Sequence, residues 1–173
     1  MNLVEFQQLS KRTAPFNAAP ENNQEFINIL GNYSTGLVGE WFEYQQALNK
    51  RAVEKDNDKE IIKEIGDVMH YAVNLLTVMN EKLDFKKITQ PTLIDMDKYL
   101  GDILEIPKKH IYHGHELRKQ EYIEAVYGVI SYFKTNLWAV LDVALAGNIE
   151  KLKTRCPDSF SVEDSIARKD VQG

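Results

Sequence analysis

Apolar residues recur at helical spacing along most of the chain. In STGLVGEWFEYQQALNK, Leu37, Trp41, Tyr44 and Leu48 follow the 4-3-4 spacing of one helical face. Ser34 or Thr35 is placed to cap a helix that runs to about residue 54. Ile61, Ile65, Val68, Ala72, Leu75 and Leu76 form a stronger stripe, ending near Met79, with Asp56 or Asp58 as its cap. Gly66 interrupts that stripe at a cost of about 1 kcal/mol relative to alanine. Val4, Phe6 and Leu9 predict a short first helix that ends before Pro15. TAPFNAAPENN reads as a loop, and Glu25 to Leu30 as a second short helix. Residues 82 to 89 form a polar connector. A helix from Thr92 to Leu104, a turn-like IPKKHIYHGHEL and a long helix from Lys119 to Ala146 follow. No window alternates with the period of a strand. The expected fold is all-α, a helical bundle forming a single domain over residues 1–173.

Two acidic pairs sit against the two strongest stripes. Glu40 and Glu43 are spaced i, i+3, and so are Glu64 and Asp67. At about 100° per residue, each pair falls on the same flank of its helix, the first acid nearer the stripe. Antiparallel packing of these helices would bring four carboxylates into one groove. A solvated acidic face shows the same spacing, and 26 Asp and Glu make chance pairs common. Recurrence on matching flanks favours a shared groove. Four carboxylates in a partly buried groove repel, and some protonate, unless a cation compensates them. Oxygen donors alone select hard cations, Mg²⁺ or Mn²⁺ rather than zinc. A Mg²⁺ site that keeps several waters commonly completes its shell with substrate phosphates.

Composition narrows the classes. With 173 residues and 43% apolar content, the chain can bury one domain core. A net charge of -5 argues against a general nucleic-acid binder but leaves room for a small phosphate ligand held by a few local cations. The single cysteine, Cys156, excludes an internal disulfide and fits a reduced, cytoplasmic setting. MNLVEFQQLSKRTAPF lacks a long apolar core and a cleavage signature, so no signal peptide is expected. The best apolar run, NLWAVLDVALAG, is broken by Asp142 and falls short of the roughly 20 residues of a membrane helix. No P-loop, Gly-rich dinucleotide motif or Ser-His-Asp arrangement is present. His110, His113 and His115 lack an evident fourth zinc ligand and read as part of a loop joining helices. Trp41, Phe42, Phe133 and Trp138 read as core.

GLVGEWFEYQQALNK followed by KEIGDVMHYAVNLL resembles the E-x-x-E … E-x-x-D signature of the MazG-like all-α nucleoside triphosphate pyrophosphohydrolases. NIEKLKTRCPDSFSVEDSIAR is similar to the N-x-x-K-L-x-x-R-Y-P-x-G-F-S ending of many members, and FQQLSKRTA to their first helix. The resemblance covers most of the chain. Departures are Cys156 in place of the usual tyrosine and Ser159 where glycine is common. It implies Mg²⁺-dependent hydrolysis of a nucleoside triphosphate to the monophosphate and pyrophosphate. Glu40, Glu43, Glu64 and Asp67 would hold the metal, and Asn148, Lys151 and Arg155 would approach the phosphates or help close the site. Glu43 is the carboxylate expected to orient or deprotonate the attacking water. The segment around His70, DVMHY, also resembles the D-x-x-H-F of the related dimeric dUTPases, which keeps a dUTPase-like hydrolase as an alternative. A third reading is a catalytically silent helical binding or assembly module. Family habit favours homodimers or homotetramers.

GDILEIPKKHIYHGHELRKQEYIEAVYGVISYF resembles the acid motif a second time. Gly39, Glu40 and Glu43 align with Gly101, Asp102 and Glu105. Glu64, Asp67 and Tyr71 align with Ala125, Gly128 and Tyr132 at nearly constant register. The expected organisation is an active repeat over about 34–80, a degenerate repeat over about 95–146 and a substrate-closing tail over about 147–170. Ala125 and Gly128 offer no side-chain ligand, so one complete site is expected, in the first repeat. The second repeat would act as scaffold, pocket wall or a built-in substitute for a second subunit.

Overall fold

The structure, a computed structural model, describes residues 1–11, 14, 20, 22–54, 57–156 and 167. These residues form six α-helices and a short 3₁₀ turn, with no strand, packed as a helical bundle. The helices are α1 (Leu3–Ser10), α2 (Asn23–Arg51), α3 (Asp58–Val78), α4 (Leu93–His113), α5 (Lys119–Asn136) and α6 (Trp138–Arg155). Asp56, most of the TAPFNAAPENN segment and the tail beyond Cys156, apart from Ala167, lie outside the described residues.

Three boundaries differ from the pattern-based expectation. The two helices expected on either side of Ser34 are one helix, α2, capped by Asn22, whose side chain accepts from the Glu25 amide at 2.9 Å. Ser34 and Thr35 do not cap. Their hydroxyls donate back to the Leu30 and Gly31 carbonyls at 2.6 and 3.0 Å, which lets hydroxyl residues sit inside a helix. In α4, Thr92 and Asp95 form the reciprocal capping box, and the helix runs through Pro107 to His113 rather than stopping at Leu104. Proline removes one backbone hydrogen bond. Here Ile103, Ile106 and Pro107 are all buried, and packing outweighs that loss. Gly114, at φ 67°, ends the helix in the left-handed region. The long helix expected from Lys119 to Ala146 is instead two helices bent by 117° at Leu137. Phe133, Leu137, Leu141 and Leu145 continue one apolar spacing across the bend, so the pattern carries no sign of it.

Helix α3 is the centre of the bundle and packs against α1, α2, α5 and α6. Its Ile65, Val68, Met69, Ala72, Val73, Leu75 and Leu76 are fully buried. At about 1.5–3 kcal/mol for each large aliphatic side chain, this stripe is a principal stabiliser. Helices α2 and α3 run antiparallel. Arg51 pairs with Asp58 and Lys50 with Glu60 near the turn, while Gly36 lies against Tyr71 at the far end. Asn57 does not cap α3. Its Nδ2 donates across the turn to the Ala47 carbonyl at 2.7 Å. Asp58 is the first helical residue rather than the cap.

Trp41 packs edge-on against Tyr132 and Phe133, tying α2 to α5. Phe42 and Trp138, expected in the core, are instead 58% and 70% exposed. No single helix among the described residues is long and apolar enough to cross a membrane.

Candidate functional site

The antiparallel α2–α3 pair brings three of the four acids together. Glu40, Glu43 and Glu64 each offer one carboxylate oxygen, and these atoms lie within 4.8 Å of one another. Among the described residues, no histidine or cysteine joins such a group. Glu43 is exposed, Glu40 half-buried, and Glu64 only 3% exposed. Glu64 Oε1 accepts from the Lys63 ammonium, while Oε2 is buried with no hydrogen-bond partner.

Asp67 is deeper than its place on the helix predicts, because α6 covers it. Its Oδ1 accepts from Asn148 Nδ2 at 2.6 Å and from the Lys151 ammonium, and its Oδ2 faces the Lys63 ammonium at 3.6 Å. The expected set of four therefore divides into three clustered glutamates and one aspartate clamped to α6. Asn148 and Lys151, expected to approach the phosphates or help close the site, both bind Asp67. The charge of Arg155 is felt at His70 and Tyr71, which puts it on the same side of the bundle.

Gly66 explains how α6 comes so close. A Cβ there would lie 2.8 Å from the Ala144 carbonyl oxygen and 2.9 Å from Asn148 Cβ. The residue that weakens the α3 pattern is thus the contact point that lets Asn148 reach Asp67. In open space Gly66→Ala would gain about 1 kcal/mol of helix propensity. Against a backbone carbonyl, overpacking costs about 1–3 kcal/mol and wins. Gly66→Ala is therefore expected to lower stability in urea unfolding and to displace Asn148 and Lys151 from Asp67. Unchanged or increased stability would contradict the close crossing. Gly36 has a parallel role, since a Cβ there would come within 2.3 Å of the Tyr71 ring.

The crowded charges alter protonation. Burial, reinforced by the charges of Asp67, Glu43 and Glu64 and opposed by Lys151, pushes Glu40 up to about 7. Burial alone would pull the Lys63 ammonium down, but its bond to Glu64 and the charges of Asp67, Glu64 and Glu40 outweigh it, so Lys63 is raised. Burial holds His70 down at about 4, aided by Lys151 and Arg155 against Asp67. His70 is thus neutral at pH 7. Its Nδ1 lies 2.7 Å from the Ser10 hydroxyl, which also accepts from Asn74 Nδ2 at 2.8 Å. This network fastens α1 to α3 one turn beyond Asp67.

Asp102 and Glu105 do not belong to the carboxylate cluster. Asp102 pairs with Lys98 at 2.7 Å, and Glu105 pairs with Lys108 and Lys109 on its own helix. His110 and His113 belong to the last turn of α4 rather than to a loop, and His110 Nδ1 lies 2.8 Å from the His115 carbonyl oxygen. The sequence-based site omits Lys63 and Gly66. Lys63 had a legible signal, being adjacent to Glu64 and i, i+4 from Asp67. The need for Gly66 depends on where α6 crosses and has no such signal.

Comparison with protein-family models, curated proteins and solved structures returns no match to this chain.

Proposed function

We propose that this chain is a metal-dependent nucleoside triphosphate pyrophosphohydrolase of the MazG-like type, converting a nucleoside triphosphate and water to the monophosphate and pyrophosphate. The observation that carries the reading is the gathering of Glu40, Glu43 and Glu64 within 4.8 Å, with a buried and unpartnered Glu64 Oε2 among them. A buried anionic oxygen without a donor is costly, and a divalent cation is the simplest partner for it. The donors are all carboxylate oxygens, which suits Mg²⁺ or Mn²⁺.

Bound there, such an ion would supply a water of lowered pKa and neutralise charge on phosphate oxygens. Glu40, Glu43 and Glu64 would hold it. Glu43, the most exposed of the three, would orient or take a proton from the attacking water. Asp67 fixes Asn148 and Lys151 at the groove edge, where Lys151 and Arg155 would meet the phosphates. The half of the chain containing α4 and α5 would be the degenerate repeat, serving as scaffold. Its Asp102 and Glu105 are already neutralised by lysines of their own helix.

The test is product analysis with a panel of ribo- and deoxynucleoside triphosphates, dUTP included, in Mg²⁺ and in EDTA. The expected result is monophosphate and pyrophosphate in equal amounts with Mg²⁺ and neither in EDTA. Turnover confined to dUTP would select the dUTPase-like alternative. Absence of turnover on every nucleotide, from folded protein with Mg²⁺ or Mn²⁺, would overturn the enzyme reading in favour of a silent helical binding module.

A further inference from the structure

Lys63 is bound to the acids from the same helix that carries them. Its ammonium meets Glu64 Oε1 and lies 3.6 Å from Asp67 Oδ2. The two carboxylates are only 5% and 11% exposed, whereas the Lys63 side chain is 50% exposed and free to move outward. From α6, the Lys151 ammonium closes on the other oxygen of Asp67. The buried acids of α3 thus already hold two positive charges. Glu64 is also the most buried member of the glutamate cluster. A cation taken by that cluster and the Lys63 ammonium compete for the same carboxylate.

An outward-moving Lys63 has a defined destination. Beside the acids, between α3 and α6, lies a cavity of about 230 Å³ lined by Lys59, Lys63, Lys151, Ile62 and Gly147, among others. Three lysine side chains line this small space, and no acidic residue does. Anionic oxygens placed there would neutralise a displaced Lys63 as Glu64 and Asp67 do now.

We propose that Lys63 couples the two ligands of the site: a divalent cation taken at Glu64 Oε2 draws off the charge that holds the Lys63 ammonium on Oε1, and the polyphosphate then takes that ammonium up. The inference rests on the metal and polyphosphate reading given above. It makes each ligand bind better in the presence of the other, so a cation–nucleotide complex is favoured over either partner alone. Lys63 is a coupling residue in this scheme and touches no reacting atom.

The experiment titrates Mn²⁺ into the full chain and into Lys63→Met, followed by calorimetry or by the electron paramagnetic resonance of free Mn²⁺, without nucleotide. Inorganic triphosphate is then titrated at saturating Mn²⁺. Removing the competitor is expected to tighten Mn²⁺ alone by about tenfold, within the range typical of coupled sites. The same change is expected to weaken triphosphate binding by a similar factor. Lys63→Gln, which keeps a polar side chain but no charge, is expected to behave alike, with circular dichroism reporting the fold of both variants. Equal or weaker Mn²⁺ binding by both variants overturns the coupling while leaving the cation site standing. No Mn²⁺ binding by any of the three proteins overturns the cation site and the coupling with it.

Discussion

Glu64→Gln is expected to reduce metal-dependent pyrophosphate release by about a thousandfold while leaving the protein folded. Glu64 is 3% exposed, and its Oε2 has no donor within the protein. An amide has the same shape, so packing around it is preserved. It lacks the charge, and one anionic ligand of three is lost from the cluster. A metal ion contributes several kcal/mol of transition-state stabilisation. At about 1.36 kcal/mol per factor of ten, losing roughly 4 kcal/mol gives the thousandfold figure. Lys63 also loses one of its two anionic partners, but its side chain is half exposed and can turn to water, which limits the cost to stability. Initial rates and melting temperatures measured together separate these effects. Activity retained within tenfold would remove Glu64 from the chemistry. A collapse of the melting temperature would assign it to the fold.

The second large effect is a pH dependence of cation binding set by Glu40. Its pKa is raised from 4.5 to about 7, first by burial and then by the charges of Asp67, Glu43 and Glu64. Below pH 7 the side chain holds a proton that must leave before it can act as a ligand. Mn²⁺ affinity is therefore expected to rise about tenfold per pH unit up to about pH 7 and then to level off. Stability without metal moves in the opposite direction. A carboxyl whose folded pKa is raised favours the folded state fully below its unfolded value, and that contribution is lost as pH rises through the folded value. In EDTA the melting temperature is expected to fall between pH 4.5 and about 7 from this group, and added Mn²⁺ to restore it most at pH 8. Glu40→Gln should flatten both profiles. Mn²⁺ affinity independent of pH between 5 and 7 in the unaltered protein would contradict a protonated Glu40 in the groove.

Much of this was legible from spacing. The stripe of Ile61, Ile65, Val68, Ala72, Leu75 and Leu76 marks the helix that became the centre of the bundle. The matched flanks of Glu40–Glu43 and Glu64–Asp67 were enough to place three carboxylates together, because helical periodicity and antiparallel packing fix where the flanks meet. What was hidden depends on contacts between distant segments. The bend at Leu137 lies within an uninterrupted apolar spacing, yet it turns α6 back over α3 and carries Asn148 and Lys151 to Asp67. Gly66 reads as a weak point until the Ala144 carbonyl is seen against it. Ser34, Thr35 and Pro107 are local boundary signals that burial and back-bonded hydroxyls overrode. Phe42 and Trp138 show the reverse error, since composition assigns large aromatics to the core and the outward faces of α2 and α6 carry them instead.

The most direct test of the central claim is a crystal of the full chain soaked in Mn²⁺, with the ion located by its anomalous scattering. The expected result is a peak at the carboxylates of Glu40, Glu43 and Glu64, with Lys63 withdrawn from Glu64. No peak at that cluster in crystals soaked at millimolar Mn²⁺, with Lys63 still seated on Glu64, would contradict it.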